Sequence, residues 1–235
     1  MKAVMRKTLL AAVLAATAGQ ALAAGESIDV KVIGQIVPAA CTANVTGGAT
    51  VDYGTMKTST LATDDFTMLD VKTLELSIAC EAPVKLALKT QDMRSDSVVD
   101  IKGKQWGVKA TSVPTDRSQV ASLGLGLSNG KKIGAWGIWM EPDTIKADGN
   151  AVDGISLNSK PTENTKWSKS QFIATWLAKN GVYRSWAATG TVTPVALTTL
   201  TGTLSVQAGI NKASELDLTR PVTLDGLATL QVYYL

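Results

Sequence analysis

The strongest constraint on the fold of this chain is the repeated alternation of apolar and polar residues. Apolar side chains or glycine occupy every second position in residues 28–36, 74–80, 84–88, 204–210 and 230–234. A period of two places such residues on one face of a β-strand. Turn residues separate these segments and no alternating helices intervene, which indicates an antiparallel sandwich. The sequence therefore predicts an all-β fold.

The middle of the chain differs in composition. Residues 91–188 are rich in Gly, Ser, Asp and Lys and contain all six tryptophans: Trp106, Trp136, Trp139, Trp167, Trp176 and Trp186. We predict strands near residues 132–140 and 182–188 and a short helix at residues 170–179. The tryptophans have two interpretations, a sugar-binding platform or a filling for a core with only two Phe and four Tyr. We favour the core, because Trp contributes a large buried area.

The first residues have the pattern of an export signal. Three basic residues, Lys2, Arg6 and Lys7, precede an apolar stretch at residues 9–18, and residues 21–23 read Ala-Leu-Ala. This small-x-small pattern is typical of a signal peptidase site. The apolar stretch is shorter than the roughly 20 residues that span a bilayer. We therefore predict that residues 1–23 are a signal peptide and that the protein is exported.

Charge and composition exclude several classes of function. Lys and Arg total 23 against 20 Asp and Glu, so removal of three basic residues with the signal leaves a formally neutral chain. A neutral chain lacks the basic surface that nucleic acid requires. The absence of His excludes Ser-His-Asp catalysis, His-ligated zinc and a histidine pH switch. Residues 143–150 lack the spacing of a calcium loop and are predicted to form a turn. No cofactor or metal is predicted.

The two cysteines allow one intramolecular pairing. An exported protein enters an oxidising compartment, so we predict a disulfide between Cys41 and Cys80. Closing a loop of about 40 residues stabilises the fold by roughly 4 kcal/mol in the chain-entropy treatment.

Three segments carry a family resemblance. Residues 32–41 read Val-Ile-Gly-Gln-Ile-Val-Pro-Ala-Ala-Cys, residues 51–54 read Val-Asp-Tyr-Gly, and residues 225–235 form an alternating closing segment with a penultimate Tyr. With the export signal and the cysteine spacing, they resemble the subunits of chaperone-usher pili, and the size resembles the β-fimbrial branch. The resemblance covers residues 24–90 and 200–235.

The resemblance implies an incomplete immunoglobulin-like sandwich that lacks its last strand. Residues 24–33 would be an N-terminal donor extension, and residues 34–235 a pilin-like domain with an insertion at about residues 91–188. Ten residues is a short extension for this family. Either the donor segment overlaps the first strand, or the subunit takes a special place in the fibre.

The resemblance also implies the residues and partners of assembly by donor-strand exchange. The donor residues would be Ile28, Val30 and Val32. The acceptor and chaperone-binding strand would contain Leu230, Val232, Tyr234 and Leu235, with the terminal carboxylate of Leu235 anchored by basic side chains of the chaperone. The partners would be a periplasmic chaperone, an outer-membrane usher, neighbouring pilus subunits and a host glycan or surface receptor. The subunit would pass through the periplasm to the cell surface, where the pilus supports adhesion.

Other functions remain open at this point. A tip adhesin, or a free-standing immunoglobulin-like carbohydrate-binding module, would use the Trp-rich region to bind sugar. A hydrolase without His would need paired carboxylates, for which Asp64 with Asp65 and Glu141 with Asp143 are candidates. Neighbouring carboxylates in turn-rich sequence are typical of solvated loops, so we predict that the protein is not an enzyme.

Overall fold

The fold is built from strands, and no α-helix occurs among the described residues. The structure, a computed structural model, describes residues 31, 33, 35, 40–101, 104, 122–162, 165–169, 177 and 181–235. Contacts divide the chain into a unit Met1–Val37 and a unit Pro38–Leu235. In the first unit only residues 31, 33 and 35 are described, and none of them is in a strand. All of the strands belong to the second unit.

The strands of the second unit range from 2 to 14 residues in length. They are β1 Cys41–Thr46, β2 Thr67–Met68, β3 Lys72–Val84, β4 Leu86–Asp92, β5 Leu123–Gly124, β6 Leu127–Ser128, β7 Lys131–Lys132, β8 Gly134–Met140, β9 Lys146–Ala147, β10 Asn150–Leu157, β11 Ser168–Lys169, β12 Tyr183–Ala188, β13 Leu197–Ile210 and β14 Ala228–Tyr234. Short 3-10 helices occur at Thr58–Thr60, Ser95–Ser97, Pro142–Thr144 and Ala213–Glu215.

Two antiparallel layers form a sandwich, which confirms the predicted all-β fold. In the first layer β13 pairs with β3 on one side and with β8 and β9 on the other, and β1 pairs with β3. In the second layer the order is β10, β12, β4 and β14. The β9–β10 hairpin joins the two layers. The two layers are therefore connected along one side. Strands β1 and β14 lie at the two ends of the series of paired strands.

The chain passes from the first layer to the second between β3 and β4. The sequence suggests a turn at residues 81–83, but β3 continues to Val84 and only Lys85 separates it from β4. The register between β3 and β13 shifts between the pairs Ala79 with Thr199 and Val84 with Leu197. Such an irregularity tolerates a proline within a strand, which explains why Pro83 does not end β3.

The core lies between the two layers, as the alternation predicts. Leu76 and Ile78 of β3 and Leu86 and Leu88 of β4 are each at most 4% exposed. A second group of apolar residues, which includes Ile133, Ala208 and Ile210, packs together separately. This second group explains why the last seven residues of β13 are buried on both faces.

Most of the described tryptophans serve the core. Trp139 and Trp186 are at most 1% exposed and belong to the core between the layers. Trp136 is half-buried and packs against both apolar groups, and its Nε1–H donates to the backbone oxygen of Gly124 at 2.9 Å. Trp167 is half-buried and does not belong to either group. Trp106 and Trp176 lie outside the described residues.

The middle region contributes strands to both layers. Residues 91–188 supply β8 and β9 to the first layer and β10 and β12 to the second. The predicted turn at residues 143–150 includes a two-residue hairpin in which Asp148 and Gly149 have φ of 47° and 79°. Such left-handed values are what a tight hairpin turn requires. The predicted helix at residues 170–179 lies outside the described residues except for Leu177, which is buried and not helical.

Candidate strand-acceptor edge

The disulfide ties the first strand of the sandwich to its neighbour. Cys41 and Cys80 are bonded, and they lie directly opposite each other in the antiparallel pair of β1 and β3. The predicted pairing is therefore confirmed. Because Cys41 is the first residue of β1, the bond fixes the point at which the chain enters the sandwich.

Among the described strands, the closing strand β14 pairs with β4 alone. It pairs with β4 from Ala228 opposite Asp92 to Tyr234 opposite Leu86. The ladder extends at one end by a bond from the Leu235 N–H to the oxygen of Lys85 at 3.0 Å. Within the described ranges, no strand pairs with the other side of β14. Among the described residues, its backbone groups on that side therefore have no strand partner.

Strand β1 has the same property in the opposite layer. Its six residues pair with β3, and no other strand in the described part of the chain pairs with β1. The Cys41 backbone N–H donates to the Oη of Tyr234, with 2.9 Å between nitrogen and oxygen. This bond connects β1 to β14, so the two unpaired edges approach each other at the Cys41 end of β1.

Apolar residues along these two edges are incompletely covered. Val45 of β1 and Leu230 and Val232 of β14 are half-buried and pack against the core. By contrast, Ile78 and Leu88 on the neighbouring strands are 1% and 2% exposed. We call the unpaired sides of β1 and β14, with Val45, Leu230 and Val232, the acceptor edge. An additional strand here would make backbone hydrogen bonds and cover apolar surface.

The four acceptor residues from the sequence lie together at this edge, but they are not equivalent. Leu230 and Val232 pack against the core, while Tyr234 and Leu235 are 41% and 42% exposed. The donor residues Ile28, Val30 and Val32 lie outside the described residues. Ile33, which follows Val32, is described and is 80% exposed.

An ion pair that the sequence does not reveal holds the chain just before β14. Arg94 Nε and Nη2 donate to Asp225 Oδ2 and Oδ1 at 2.8 and 3.1 Å. The hydrogen bond to Arg94 lowers the pKa of Asp225, and the same bond raises the pKa of Arg94. Arg94 follows β4, so the pair fixes the start of β14 against the end of its partner. The two residues are 131 positions apart, and no local pattern signals such a pair.

Tyr53, in the segment at residues 51–54, satisfies the backbone of β13. Its Oη donates to the oxygen of Val206 at 3.3 Å and accepts from the N–H of Ala208 at 3.1 Å. Val206 is the last residue of β13 that pairs with β3, and the pairing with β2 begins at Gly209. The hydroxyl therefore fills a gap between two ladders. Burial raises the pKa of Tyr53.

One member of each carboxylate pair considered for catalysis makes structural contacts. Glu141 Oε1 accepts from Trp139 Nε1 at 2.9 Å and from Ser205 Oγ at 2.6 Å. Asp65 accepts from Lys104 Nζ at 2.6 Å, and this bond lowers the pKa of Asp65. Across the described residues, no group of three or more Cys, Asp or Glu is placed to hold a metal ion. In the same part of the chain, no helix is long and apolar enough to cross a membrane.

Comparisons with known proteins identify relatives over most of the chain. A family model described as Protein of unknown function (DUF1120) matches residues 30–137. Protein GltF from Escherichia coli (strain K12) is 31% identical over 223 residues, which cover 88% of this chain and 88% of GltF. Uncharacterized protein YhcF from the same strain is 29% identical over 219 residues, which cover 89% of this chain and 90% of YhcF. The chain therefore belongs to the family that includes Protein GltF, with a DUF1120 match over residues 30–137.

Proposed function

We propose that this protein is a structural, non-enzymatic subunit of a chaperone-usher pilus that accepts a strand from a partner at the acceptor edge. One observation carries the proposal: β1 and β14 both lack a partner on one side within the described residues, and half-buried core residues lie along them. A complete immunoglobulin-like sandwich would cover these residues with its own last strand. The resemblance of residues 24–90 and 200–235 to pilus subunits supports the same function.

The energy of strand addition is sufficient for assembly without covalent links. An extended segment gains backbone hydrogen bonds along β14, and its alternate side chains contact Leu230 and Val232. Burying about four aliphatic side chains gives roughly 6 to 12 kcal/mol before the cost of ordering the segment. An unpaired edge beside apolar surface also promotes aggregation. A periplasmic chaperone that lends a strand would prevent this aggregation before assembly.

The proposed donor is the N-terminal extension of the next subunit. Ile28, Val30 and Val32 have one parity and would insert beside β14 at the usher, where the extension that carries them replaces the strand of the chaperone. The assembled fibre would lie on the cell surface and support adhesion.

A self-complemented chain tests strand acceptance directly. Residues 27–37 are appended after Leu235 through a flexible linker long enough to turn back along β14. Further doubling of the linker length costs only about 0.6 kcal/mol of closure entropy. We expect a soluble monomer that melts at a higher temperature than the unmodified chain. The matched control carries Val30→Asp and Val32→Asp in the appended copy alone, because unpaired charges in an apolar site prevent insertion.

Two results would overturn strand acceptance. If the unmodified chain is a monomer and melts at the same temperature as the extended chain, the core is already closed. If the control with two aspartates is stabilised as much as the extended chain, the linker or the added length is responsible.

A further inference from the structure

A cleft lies beside the C-terminal end of β14, next to the Tyr234 end of the acceptor edge. It has a volume of about 780 Å³ and is lined at this end by Tyr233, Tyr234 and Leu235. Leu230 and Val232 pack against the core, so by strand alternation Tyr233 lies on the opposite face of the sheet. The Tyr233 ring packs edge-on against Tyr183 of β12, with 5.0 Å between ring centroids. Tyr233 therefore reaches the cleft from the face opposite Leu230 and Val232, while Tyr234 and Leu235 border both the cleft and the acceptor edge.

Aromatic and apolar groups form part of the cleft. Trp167 lines it together with Pro161, Pro194 and Tyr233. Trp167 is half-buried and, unlike Trp139 and Trp186, is outside the core. A rigid aromatic surface of this kind binds the apolar face of a sugar ring, because the aromatic side chain loses little conformational freedom when the sugar covers it. The edge-on contact with Tyr183 fixes the Tyr233 ring in advance of binding.

The charge of the cleft is positive. Lys85 and Lys166 line it and are exposed, and neither forms an ion pair among the described residues. Among the described lining residues no side chain is acidic, and the terminal carboxylate of Leu235 is the one negative group. Two ammonium groups against one carboxylate leave this described lining with a net positive charge, which favours an anionic ligand, since opposite charges attract more strongly in a partly enclosed site.

The loops that line the cleft are held in place by hydrogen bonds. Thr162 N–H donates to Thr165 Oγ1 at 2.7 Å, which fixes Thr165 beside Thr162 and next to Lys166. Asp153 Oδ2 accepts from Lys169 Nζ and from the Gly190 N–H, each at 2.7 Å. Lys169 follows the Trp167 segment and Gly190 precedes the Pro194 segment. One carboxylate of β10 therefore fixes two segments that border the cleft, so the site is formed before a ligand arrives.

We propose that this cleft binds an acidic oligosaccharide, with a sugar ring stacked on Trp167 and Tyr233 and its carboxylate beside Lys85 and Lys166. Aromatic surface accounts for the sugar and the paired lysines account for the acid. This site does not rest on the pilus proposal, because Trp167, Tyr233 and the two lysines are not among the residues assigned to strand acceptance.

Calorimetric titration of the full chain tests the proposal. The probes are 3′-sialyllactose and a tetrasaccharide of alternating glucuronic acid and N-acetylglucosamine, with lactose and sodium acetate as the neutral and sugar-free controls. We expect at least one acidic probe to bind at least tenfold more tightly than lactose and acetate. The affinity should fall as salt rises, because the lysines are exposed and screened.

Variants assign the binding to this cleft. Trp167→Ala and Trp167→Leu should each weaken the acidic probe at least tenfold, and so should Lys85→Gln combined with Lys166→Gln. The matched control combines Lys57→Gln with Lys131→Gln, which removes two exposed lysines that do not line the cleft. Thermal melting checks that each variant is folded. The proposal is overturned if neither acidic probe binds, if acetate binds equally well, or if the folded cleft variants bind like the control. Failure here leaves the melting of the self-complemented chain unchanged, so the two proposals fail separately.

Discussion

At the scale of single residues, the Arg94–Asp225 pair shows how one contact positions the candidate site. Two nitrogens of the Arg94 guanidinium bond the same carboxylate, and the pair is partly exposed, with 34% and 58% of the side chains accessible. Water and salt screen such pairs. Its effect is therefore local, namely to fix the beginning of β14 against the segment that follows β4.

The lowered pKa of Asp225 predicts a pH dependence. A carboxylate whose pKa is lower in the folded state stabilises the fold at pH values above its unfolded pKa of about 4. This contribution is lost as the pH falls through the depressed folded pKa. Asp225→Asn should therefore melt below the wild type at pH 7, and the difference should shrink as the pH falls below 4.

Melting curves at several pH values check this expectation. The control is Asp64→Asn, which removes an exposed carboxylate outside the ion pairs of the described residues. A difference between wild type and Asp225→Asn that stays constant from pH 7 to pH 2 would contradict the assigned role of Arg94.

Residue roles differ in how far the sequence predicts them. The bond between Cys41 and Cys80 follows from a count of two cysteines, because only one pair exists. The contacts of Arg94 with Asp225 and of Tyr53 with β13 join positions 131 to 155 residues apart. Such contacts depend on the packing of the finished sandwich, and nothing in the local sequence specifies them.

At the scale of elements, alternation predicts those strands that have one polar face. Strand β14 and most of β3 follow this pattern. The last seven residues of β13 are buried on both faces, including the polar ones. The alternating pattern, which predicts one exposed face, is therefore wrong about the burial of this part of the strand. The turn suggested near Pro83 is wrong because an irregular register accommodates the proline within β3. Only Lys85 separates β3 from β4 where the chain crosses between the layers. A single residue carries no sequence pattern that would predict this crossing.

The two faces of β14 predict opposite effects of charge. Val232 is half-buried and packs against the core, while its neighbour Gln231 is exposed. In the self-complemented chain, Val232→Lys should abolish the gain in melting temperature, since a lysine there would lie unpaired beneath the added strand. Gln231→Lys should keep the gain. Thermal melting of each variant with and without the appended segment gives the answer, and an equal gain in both would place the accepted strand elsewhere.

At the scale of the whole molecule, the candidate site is a consequence of topology. The β9–β10 hairpin connects the layers on one side. Strands β1 and β14, each with one edge that no described strand pairs, are the first and last described strands of the second unit. The closing segment and the cysteines indicate from the sequence alone where such an edge would lie. The sequence does not predict the cleft, because the cleft brings together residues from four separate stretches of chain.

In the N-terminal segment, the even-numbered positions 28, 30 and 32 carry the proposed donor residues, which predicts how charge at single positions affects the assembly of many copies. Val30 shares its parity with Ile28 and Val32, whereas Ile33 has the opposite parity and is 80% exposed. When the chain is produced with its chaperone and usher, we expect SDS-resistant multimers from the wild type. Val30→Asp should abolish the multimers and keep the chaperone complex, because the chaperone contacts the acceptor edge and not the donor.

The matched control for assembly is Ile33→Asp. It introduces the same charge three residues away on the opposite face of an extended segment, where it stays in water when the donor inserts. Multimers should therefore form at wild-type level, and gel electrophoresis without boiling measures both variants. Equal loss in the two variants would mean that any charge in the segment blocks export or folding. Equal retention would mean that residues 28–32 are not the donor and that another segment completes the sandwich.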